Sequence, residues 1–206
     1  MRLMIIGKMC SGKTTLADGL GFQRVSLAAP IKIIEAISDA GLPNDQVIKN
    51  IPLRITQAQK EIFSEVLDEM KAIERETKPR KRYQHLGTIG VRNRIDQDFW
   101  VKWLKADMLD MPRNANYVID DVRFMNEFTF FKSEGWKSVV LTVPPSAQRA
   151  RVLDLYGSID EVALTHPSEI SVDDIVASGL VDLQINTLDD SIETMIAKTK
   201  ELLDMK

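Results

Sequence analysis

Cysteine, histidine and long apolar runs are scarce in this chain of 206 residues, and each shortage excludes a class of protein. Cys10 is the only cysteine, so no internal disulfide can form, which fits a reducing cytosol. His85 and His166 have no metal-ligand spacing with it, which argues against a zinc site. No apolar run reaches membrane-spanning length and we find no signal peptide. The sequence therefore predicts a soluble cytoplasmic protein with no membrane partner.

An excess of positive charge is also missing. The formal net charge is −3, from 27 Lys and Arg against 30 Asp and Glu, and the pI is near 5.5. A protein that coats duplex DNA needs a basic surface, so a nucleic-acid partner is not expected. The length suggests one domain, with room for an inserted arm or lid, and 44% hydrophobic residues can bury a normal core.

The sequence contains a glycine-rich loop at 7–14 that fits the pattern G-x-x-x-x-G-K-[ST]. An apolar run at 2–6 precedes it and a helix-forming segment at 15–20 follows it. A strand, a glycine loop and a helix N-terminus gather backbone N–H groups around one point, which attracts a triphosphate. We therefore predict a nucleoside triphosphate site made by Gly7, Lys8, Met9, Cys10, Ser11, Gly12, Lys13, Thr14 and Thr15.

Individual residues of this loop have distinct predicted roles. Gly7 and Gly12 let the backbone approach phosphate oxygens where a side chain would clash. Lys13 can reach the β- and γ-phosphates and follow the charge as it moves, and Thr14 offers a hydroxyl to Mg²⁺.

Two acids follow the apolar segment 117–119, at a strand end where α/β sheets place their ligand sites. One of them is predicted to orient the Mg²⁺ shell or to hold a substrate group. We take Asp121 as the metal candidate beside Thr14 and leave the choice between Asp120 and Asp121 open.

The order of apolar segments predicts an α/β fold. Strands are expected at 2–6, 22–27, 117–121, 138–143 and 181–186, and helices at 31–40, 56–75, 98–109 and from 190 onward. The helix at 56–75 should bury a stripe of Ile62, Val66, Met70 and Ile73, whereas 145–174 shows little clear period and is expected to be irregular. Alternating strands and helices predict a central parallel sheet flanked by helices on both sides.

Arginines are the residues that distinguish a kinase from a hydrolase. Arg92, Arg94 and Arg123 lie in the middle of the chain, and Arg149 and Arg151 open the segment after the fourth strand. A kinase with an anionic acceptor must bring two phosphate groups together, and guanidinium forks can clamp the acceptor and neutralise the transferred phosphoryl group. An acceptor phosphate is already a nucleophile, so no general base is needed.

Several segments resemble the bacteriophage deoxynucleoside monophosphate kinases, a branch of the P-loop nucleotide kinases. They occur in the family's order over most of the chain. The segments are Ser26–Lys32 (SLAAPIK), Arg82–Thr88 (RYQHLGT) with Arg92, Asp98–Val101 (DFWV), Asp121–Phe124 (DVRF) with Asn126 and Glu127, and His166–Glu169 (HPSE).

The resemblance implies a three-layer P-loop kinase fold with an acceptor arm at about 31–94 and a lid at about 146–168. It implies transfer of the γ-phosphoryl group of ATP, with Mg²⁺, to a deoxynucleoside monophosphate. The implied acceptor-binding residues are Lys32, Arg82, Gln84, Gly87, Thr88, Arg92, Asp121 and Arg123, and the implied catalytic residues are Lys13, Arg123, Arg149 and Arg151. Ile89, Gly90 and Asp120 depart from the family's pattern, so the accepted base stays open.

Two other functions remain open at this stage. The same fold could phosphorylate a hydroxymethylated base in phage DNA, with the basic run 78–82 as a DNA contact. That neutral hydroxyl would need a general base, for which Asp120 and Asp121 are the candidates, and the acidic net charge argues mildly against it. A nucleotide-switched binding protein of the GTPase type is the least favoured, because the sequence has no Asn-Lys-x-Asp segment. A homodimer is left open, and the location is the host cytoplasm if a phage encodes the chain.

Overall fold

The structure, a computed structural model, describes residues 1–75 and 79–205. In chain order the elements are β1 (Arg2–Gly7), α1 (Lys13–Leu20), β2 (Gln23–Val25), α2 (Ala29–Asp39), α3 (Asn44–Lys49), α4 (Gln57–Ala72), α5 (Arg80–Gln84), a π-helix (His85–Arg92), α6 (Phe99–Asp107), a 3₁₀ turn (Met108–Asp110), β3 (Tyr117–Ile119), α7 (Met125–Ser133), β4 (Lys137–Thr142), α8 (Pro145–Tyr156), α9 (Glu161–Leu164), α10 (Pro167–Ala177), β5 (Leu183–Asn186) and α11 (Ile192–Leu202).

The chain divides into two compact units. The first, which we call the sheet unit, joins Met1–Val25 to the chain from Pro112 onward; the second, the helical unit, is Ser26–Met111. The predicted acceptor arm, 31–94, falls within the helical unit. None of the helices in the described part of the chain combines the length and the hydropathy needed to span a bilayer.

A five-stranded sheet with the order β2-β3-β1-β4-β5 forms the centre of the sheet unit. Every pairing is parallel, with Met4 opposite Ile119 on one side of β1 and Ile5 opposite Val139 on the other. Helices cover both faces, so consecutive β1 residues Leu3–Ile6 are all fully buried. This confirms the predicted α/β class and parallel sheet.

One face of the sheet holds the start and the end of the chain together. Leu3 and Ile5 of β1 share an apolar cluster with Leu16 of α1 and Met195 of α11. In α11 the buried Thr199 hydroxyl donates to the Met195 carbonyl at 2.7 Å, so its polar group is satisfied within the helix. The core therefore holds β1 and α1, the two elements that flank the glycine loop.

The prediction of an irregular segment at 145–174 is wrong, because α8, α9 and α10 occupy most of it. In α8 the buried residues are Gln148 and Val152, one of them polar. A helix that buries so little apolar surface shows no hydrophobic stripe in its sequence. Its end is marked instead by Gly157, whose φ of 72° is typical of a helix C-terminus.

In the helical unit, α4 begins with a capping box. The Thr56 hydroxyl accepts from the Gln59 N–H, and the Gln59 side chain accepts from the Thr56 N–H. The side chains buried by this helix are Phe63, Val66, Leu67 and Met70. The predicted stripe is therefore right at Val66 and Met70, whereas Ile62 and Ile73 are only half-buried.

The π-helix packs closely on its neighbours in the helical unit. A Cβ added to Gly90 would lie 2.2 Å from Cγ1 of Val66 in α4, so only glycine permits this approach. Trp100 of α6 donates from Nε1 to the Gly87 carbonyl at 2.8 Å, inside the core. Single π-helical turns often occur at functional sites, and this one carries three of the predicted acceptor residues: Gly87, Thr88 and Arg92.

Candidate active site

The glycine loop runs between two elements that the core holds in place. β1 ends at Gly7, and α1 begins at Lys13 with Gly12 as its N-cap. N–H groups in the first turn of an α-helix have no carbonyl one turn back to bind, and the helix dipole places partial positive charge there. The loop and the helix start therefore form an anion-binding site.

Gly7 has a packing role as well as the predicted phosphate role. A Cβ at this position would lie 2.7 Å from the carbonyl oxygen of Leu141 in β4 and 2.4 Å from Oγ of Ser11. Any side chain would push the loop away from β4. The absence of a side chain thus lets the loop lie against the neighbouring strand.

Lys13 is a buried ammonium group that contacts no carboxylate among residues 1–75 and 79–205. Its Nζ donates to the Lys8 carbonyl oxygen at 2.7 Å. Burial, and to a lesser extent the positive charge of Arg123, lowers the pKa of Lys13 to about 7, although Glu169 and Asp120 oppose the shift. A triphosphate in the loop would supply the missing negative charge.

Thr14 and Asp120 lie together beside the loop. The Thr14 hydroxyl donates to Oδ2 of Asp120 at 3.3 Å, and Nη2 of Arg24 donates to the same oxygen at 2.6 Å. Sequence analysis listed Asp121 as the metal candidate and left the choice between the two acids open; the acid hydrogen-bonded to the loop hydroxyl is Asp120, the buried residue directly after β3. Alternation along the extended chain explains this, because successive side chains point to opposite sides.

These two groups fit a magnesium ion that is held mainly by phosphates. Mg²⁺ usually takes one or two protein oxygens and completes its shell with substrate phosphates and water. Thr14 and Asp120 supply one hydroxyl and one carboxylate 3.3 Å apart. The described residues contain no cluster of three or more Asp, Glu, His or Cys, so nothing in them suits an ion that needs a full set of protein ligands.

Arg123 lies beside the loop and is held by two acceptors. Its Nη1 donates to the Gly7 carbonyl at 3.0 Å and to Oε1 of Glu169 at 2.8 Å. The backbone N–H groups of Arg123 and Phe124 both donate to Oε2 of Glu127 in the first turn of α7. The chain around Arg123 is therefore fixed at both backbone and side chain.

The two arginines of α8 have different surroundings. Arg151 donates from Nη1 to the Cys10 carbonyl at 3.3 Å and to the Thr187 hydroxyl at 2.9 Å, so it reaches the glycine loop. Arg149 is exposed and forms an ion pair with Glu161 of α9. Of these two arginines of α8, both predicted to be catalytic, the structure brings only Arg151 to the loop.

A cavity of about 350 Å³ opens over the loop. Residues 10–15 line one side of it, and Arg151, Leu155 and Tyr156 of α8 line another. A site with a phosphate-binding backbone, a cation and two large side chains suits a nucleoside triphosphate, which has a charged tail and a flat apolar base.

Predicted acceptor residues of the helical unit include three polar side chains on or near the π-helix. Gln84 is the last residue of α5, Thr88 lies four residues later in the π-helix, and Lys32 lies in α2. Within residues 1–75 and 79–205 these three side chains bind no other residue. Arg92 ends the π-helix, donates to the Gln97 carbonyl at 2.7 Å and lines a surface cavity of about 450 Å³ formed by residues 92–97.

Arg82 does not fit its predicted role as an acceptor ligand. Its buried guanidinium donates to Glu35 at 3.2 Å, to Asp39 at 2.6 Å and to the Ile73 carbonyl at 2.8 Å. Glu35 is only 1% exposed, so this arginine neutralises a buried carboxylate of the helical unit. Arg82 is therefore a structural residue. Lys78, in the same basic run, lies outside the described residues.

Sequence reasoning missed two residues that hold the loop and one that holds Asp120 beside it. Glu169 accepts from the Met9 N–H at 2.6 Å, Gln148 donates to the Met9 carbonyl at 3.0 Å, and Arg24 pairs with Asp120. Glu169 belongs to the segment HPSE, which the resemblance had marked without a role. Gln148 and Arg24 carried no signal in the sequence.

Comparison with known proteins identifies the family. A family model described as deoxynucleotide monophosphate kinase matches residues 33–151, more than half of the chain. The chain belongs to this family. It is 28% identical over 208 residues to a protein of Acanthamoeba polyphaga mimivirus with the name "Putative deoxynucleotide monophosphate kinase", covering 94% of this chain and 93% of the viral protein. Family and activity were both predicted from the sequence, and both predictions are confirmed.

The fold recurs in solved structures at low sequence identity. TT1252 from Thermus thermophilus aligns with a TM-score of 0.52 and 12% identity, over 98% of this chain and 95% of that one, and therefore shares the fold. Shikimate kinase from Bacteroides thetaiotaomicron aligns with a TM-score of 0.49 and 16% identity, over 100% and 99% of the two chains. The family to which the chain belongs consists of kinases, so the chain is an ATP-dependent phosphotransferase.

Proposed function

We propose that the sheet unit of this kinase binds ATP at the glycine loop and transfers its γ-phosphoryl group with Lys13, Arg123 and Arg151 as the catalytic cations. The observation that supports this most strongly is the position of Lys13: a buried ammonium at the start of a helix, which donates to the Lys8 carbonyl of the loop and contacts no carboxylate of any residue that the structure describes. Three positive groups around one anion site suit a reaction in which charge on phosphoryl oxygens must be neutralised.

Each cation has a distinct proposed task. Lys13 follows the β- and γ-phosphates during transfer. Arg123 presents a guanidinium edge to phosphate, because its Nη1 is already used by Gly7 and Glu169. Arg151 bridges the Cys10 carbonyl and Thr187, which places it at the wall of the loop cavity. Arg149, exposed and paired with Glu161, is not part of this set.

Magnesium would be held by Thr14 and Asp120. The ion, when bound, neutralises phosphate charge and brings the β- and γ-phosphates into one geometry. Asp120 is already paired with Arg24 at 2.6 Å, so this arginine must share or release the carboxylate when a second cation arrives. The chain's own contribution is to keep one carboxylate oxygen beside the loop hydroxyl.

We propose that the acceptor, a deoxynucleoside monophosphate, binds to residues of the helical unit, namely Lys32, Gln84, Thr88 and Arg92. Lys32, Gln84 and Thr88 have polar ends that no described residue binds, and Arg92 lines a surface cavity. Gly87 serves packing in addition, because its carbonyl accepts from Trp100. Asp121 and Arg123 remain predicted acceptor contacts from the sequence. A cytoplasmic location and a homodimer also remain predictions.

One assay tests the function and its alternatives together. The protein is incubated with ATP and Mg²⁺ plus each dNMP, each NMP or duplex DNA with hydroxymethylated bases, and nucleoside diphosphate and labelled DNA are measured. We expect diphosphate from one or more dNMPs. Label in DNA alone would contradict the proposal. Asp120, one of the two candidate bases for that chemistry, already accepts from Thr14 and Arg24, which disfavours such a role for it.

A further inference from the structure

Helix α10 reaches the glycine loop through one buried carboxylate. Glu169, in the first turn of α10, is 7% exposed. Its Oε2 accepts from the Met9 N–H at 2.6 Å, and its Oε1 accepts from Nη1 of Arg123 at 2.8 Å. A single side chain therefore joins the loop backbone to the arginine beside it.

The contacts of Arg123 leave one edge of its guanidinium unused. Nη1 has two hydrogens, and these are taken by Glu169 and by the Gly7 carbonyl. Among residues 1–75 and 79–205, no protein atom accepts from Nε or Nη2. These two donors form the planar fork that matches two oxygens of a phosphate group. Glu169 and Gly7 thus fix the side of the guanidinium opposite to its phosphate-binding edge.

Electrostatics support the same arrangement. Lys13 and Arg123 are close enough for Arg123 to lower the pKa of Lys13, and Glu169 opposes that effect. Two cations held near each other repel, and a buried carboxylate beside them reduces the cost. Glu169 pairs with Arg123, whereas Lys13 contacts no carboxylate in the described part of the chain.

We propose that Glu169 is a positioning residue of the transfer reaction, which holds Arg123 by Nη1 and the loop by the Met9 N–H so that the Nε–Nη2 edge of Arg123 binds the transferring phosphoryl group. This proposal rests on the proposed function. It assigns a task to α10, the helix that has His166 as its N-cap. The role is indirect, because Glu169 acts through Arg123.

The first test compares Glu169→Gln with a matched control on the same helix. Gln keeps the size of the side chain but puts an NH2 donor in place of one carboxylate oxygen, so in the same position it loses the acceptor for either Met9 or Arg123. We expect kcat to fall about 10- to 100-fold, as for other residues that orient a functional group. The KM for ATP should change less than about 3-fold, because the loss affects the transition state. Asp174→Asn changes an exposed carboxylate of the same helix and should stay within about 2-fold of wild type.

A double-mutant cycle separates positioning from a general structural role. If Glu169 acts through Arg123, then Glu169→Gln should reduce kcat by less than about 3-fold in an Arg123→Ala background. Thermal unfolding of all variants checks that they are folded. Any of three results would overturn the proposal. The losses of kcat from the two single substitutions multiply in the double variant, or folded Glu169→Gln keeps the kcat of the wild type, or its change is confined to the KM for ATP.

Wild-type turnover of a dNMP is measured first in the same assay. Its absence with every dNMP would contradict the proposed function and the role of Glu169 with it. Wild-type turnover together with an unaffected Glu169→Gln would contradict the role of Glu169 alone.

Discussion

The glycine loop and the π-helix are the two regions to which sequence analysis assigned the substrates, and they differ in how their functional groups are held. In the sheet unit, Met9 is bound at both its N–H and its carbonyl, and the carbonyls of Gly7 and Cys10 each accept from an arginine. In the helical unit, the side chains of Gln84 and Thr88 bind no other described residue.

This difference indicates two modes of recognition. The loop presents a fixed set of donors, so a triphosphate meets a site whose geometry the chain has already established. We propose that Thr88 of the π-helix, whose side chain binds no other described residue, becomes ordered when the acceptor binds, and such ordering reduces affinity. We therefore expect changes in the sheet unit to act mainly on kcat and changes in the helical unit to act mainly on the KM of the acceptor.

The largest expected effect is that of Lys13→Met. Methionine fits a buried position of similar length but carries no charge, so stabilisation of the transferring phosphoryl group is lost. We expect kcat to fall by at least about 1,000-fold, the upper range for removal of one group that stabilises charge in the transition state. Steady-state kinetics with ATP and the accepted dNMP measures this. Retained turnover in folded Lys13→Met would show that the loop is not the donor site.

Arg151 and Arg149 offer a matched pair on one helix. Arg151→Ala removes contacts to Cys10 and Thr187 at the loop, whereas Arg149→Ala removes only an exposed ion pair with Glu161. We expect about a 10- to 100-fold loss of kcat for Arg151→Ala, with a smaller change in acceptor KM. Arg149→Ala should stay within about 2-fold of wild type. Equal losses of kcat in the two variants would show that Arg149 acts in catalysis together with Arg151, as the resemblance implied.

The smallest expected effect is in the helical unit. Thr88→Val keeps the shape of the side chain and removes one hydroxyl. If that hydroxyl binds the acceptor, the KM for the dNMP should rise about 3- to 10-fold with little change in kcat, since one hydrogen bond contributes about 0.5–1.5 kcal/mol. Thr194→Val, on α11 in the sheet unit, serves as the control. A kcat effect without a KM effect would show that the two regions do not divide their tasks in this way.

Local patterns predicted most of the sheet unit. The strands are short apolar runs, and the glycine loop has a fixed spacing between strand and helix, so β1, β3, β4 and α11 were found within a few residues. In the helical unit, α4 and α6 were visible from their apolar periods. The π-helix was not visible in the sequence. Gly90 packs closely against Val66 there, and such a contact leaves no apolar period along the chain.

Long-range pairs account for most of what the sequence did not show. Met9 and Glu169 are 160 residues apart, and Arg24 and Asp120 are 96 residues apart. The sequence left the choice between Asp120 and Asp121 open, because nothing in two adjacent acids shows which side chain faces Thr14. Arg82 was assigned to substrate because a buried partner such as Glu35 cannot be distinguished from an exposed acid in the sequence.

Proton uptake on ATP binding tests most directly whether Lys13 binds the phosphates of ATP in the glycine loop. Burial lowers the pKa of the free side chain to about 7, so at pH 8 most molecules hold it uncharged. A bound triphosphate raises that pKa, and binding then takes up a proton. Calorimetry of Mg-ATP binding in buffers of different ionisation enthalpy should show uptake of about one proton at pH 8 and much less at pH 6, where Lys13 is already charged. Lys13→Met should show almost none at either pH. Equal uptake in wild type and Lys13→Met at pH 8 would contradict the account.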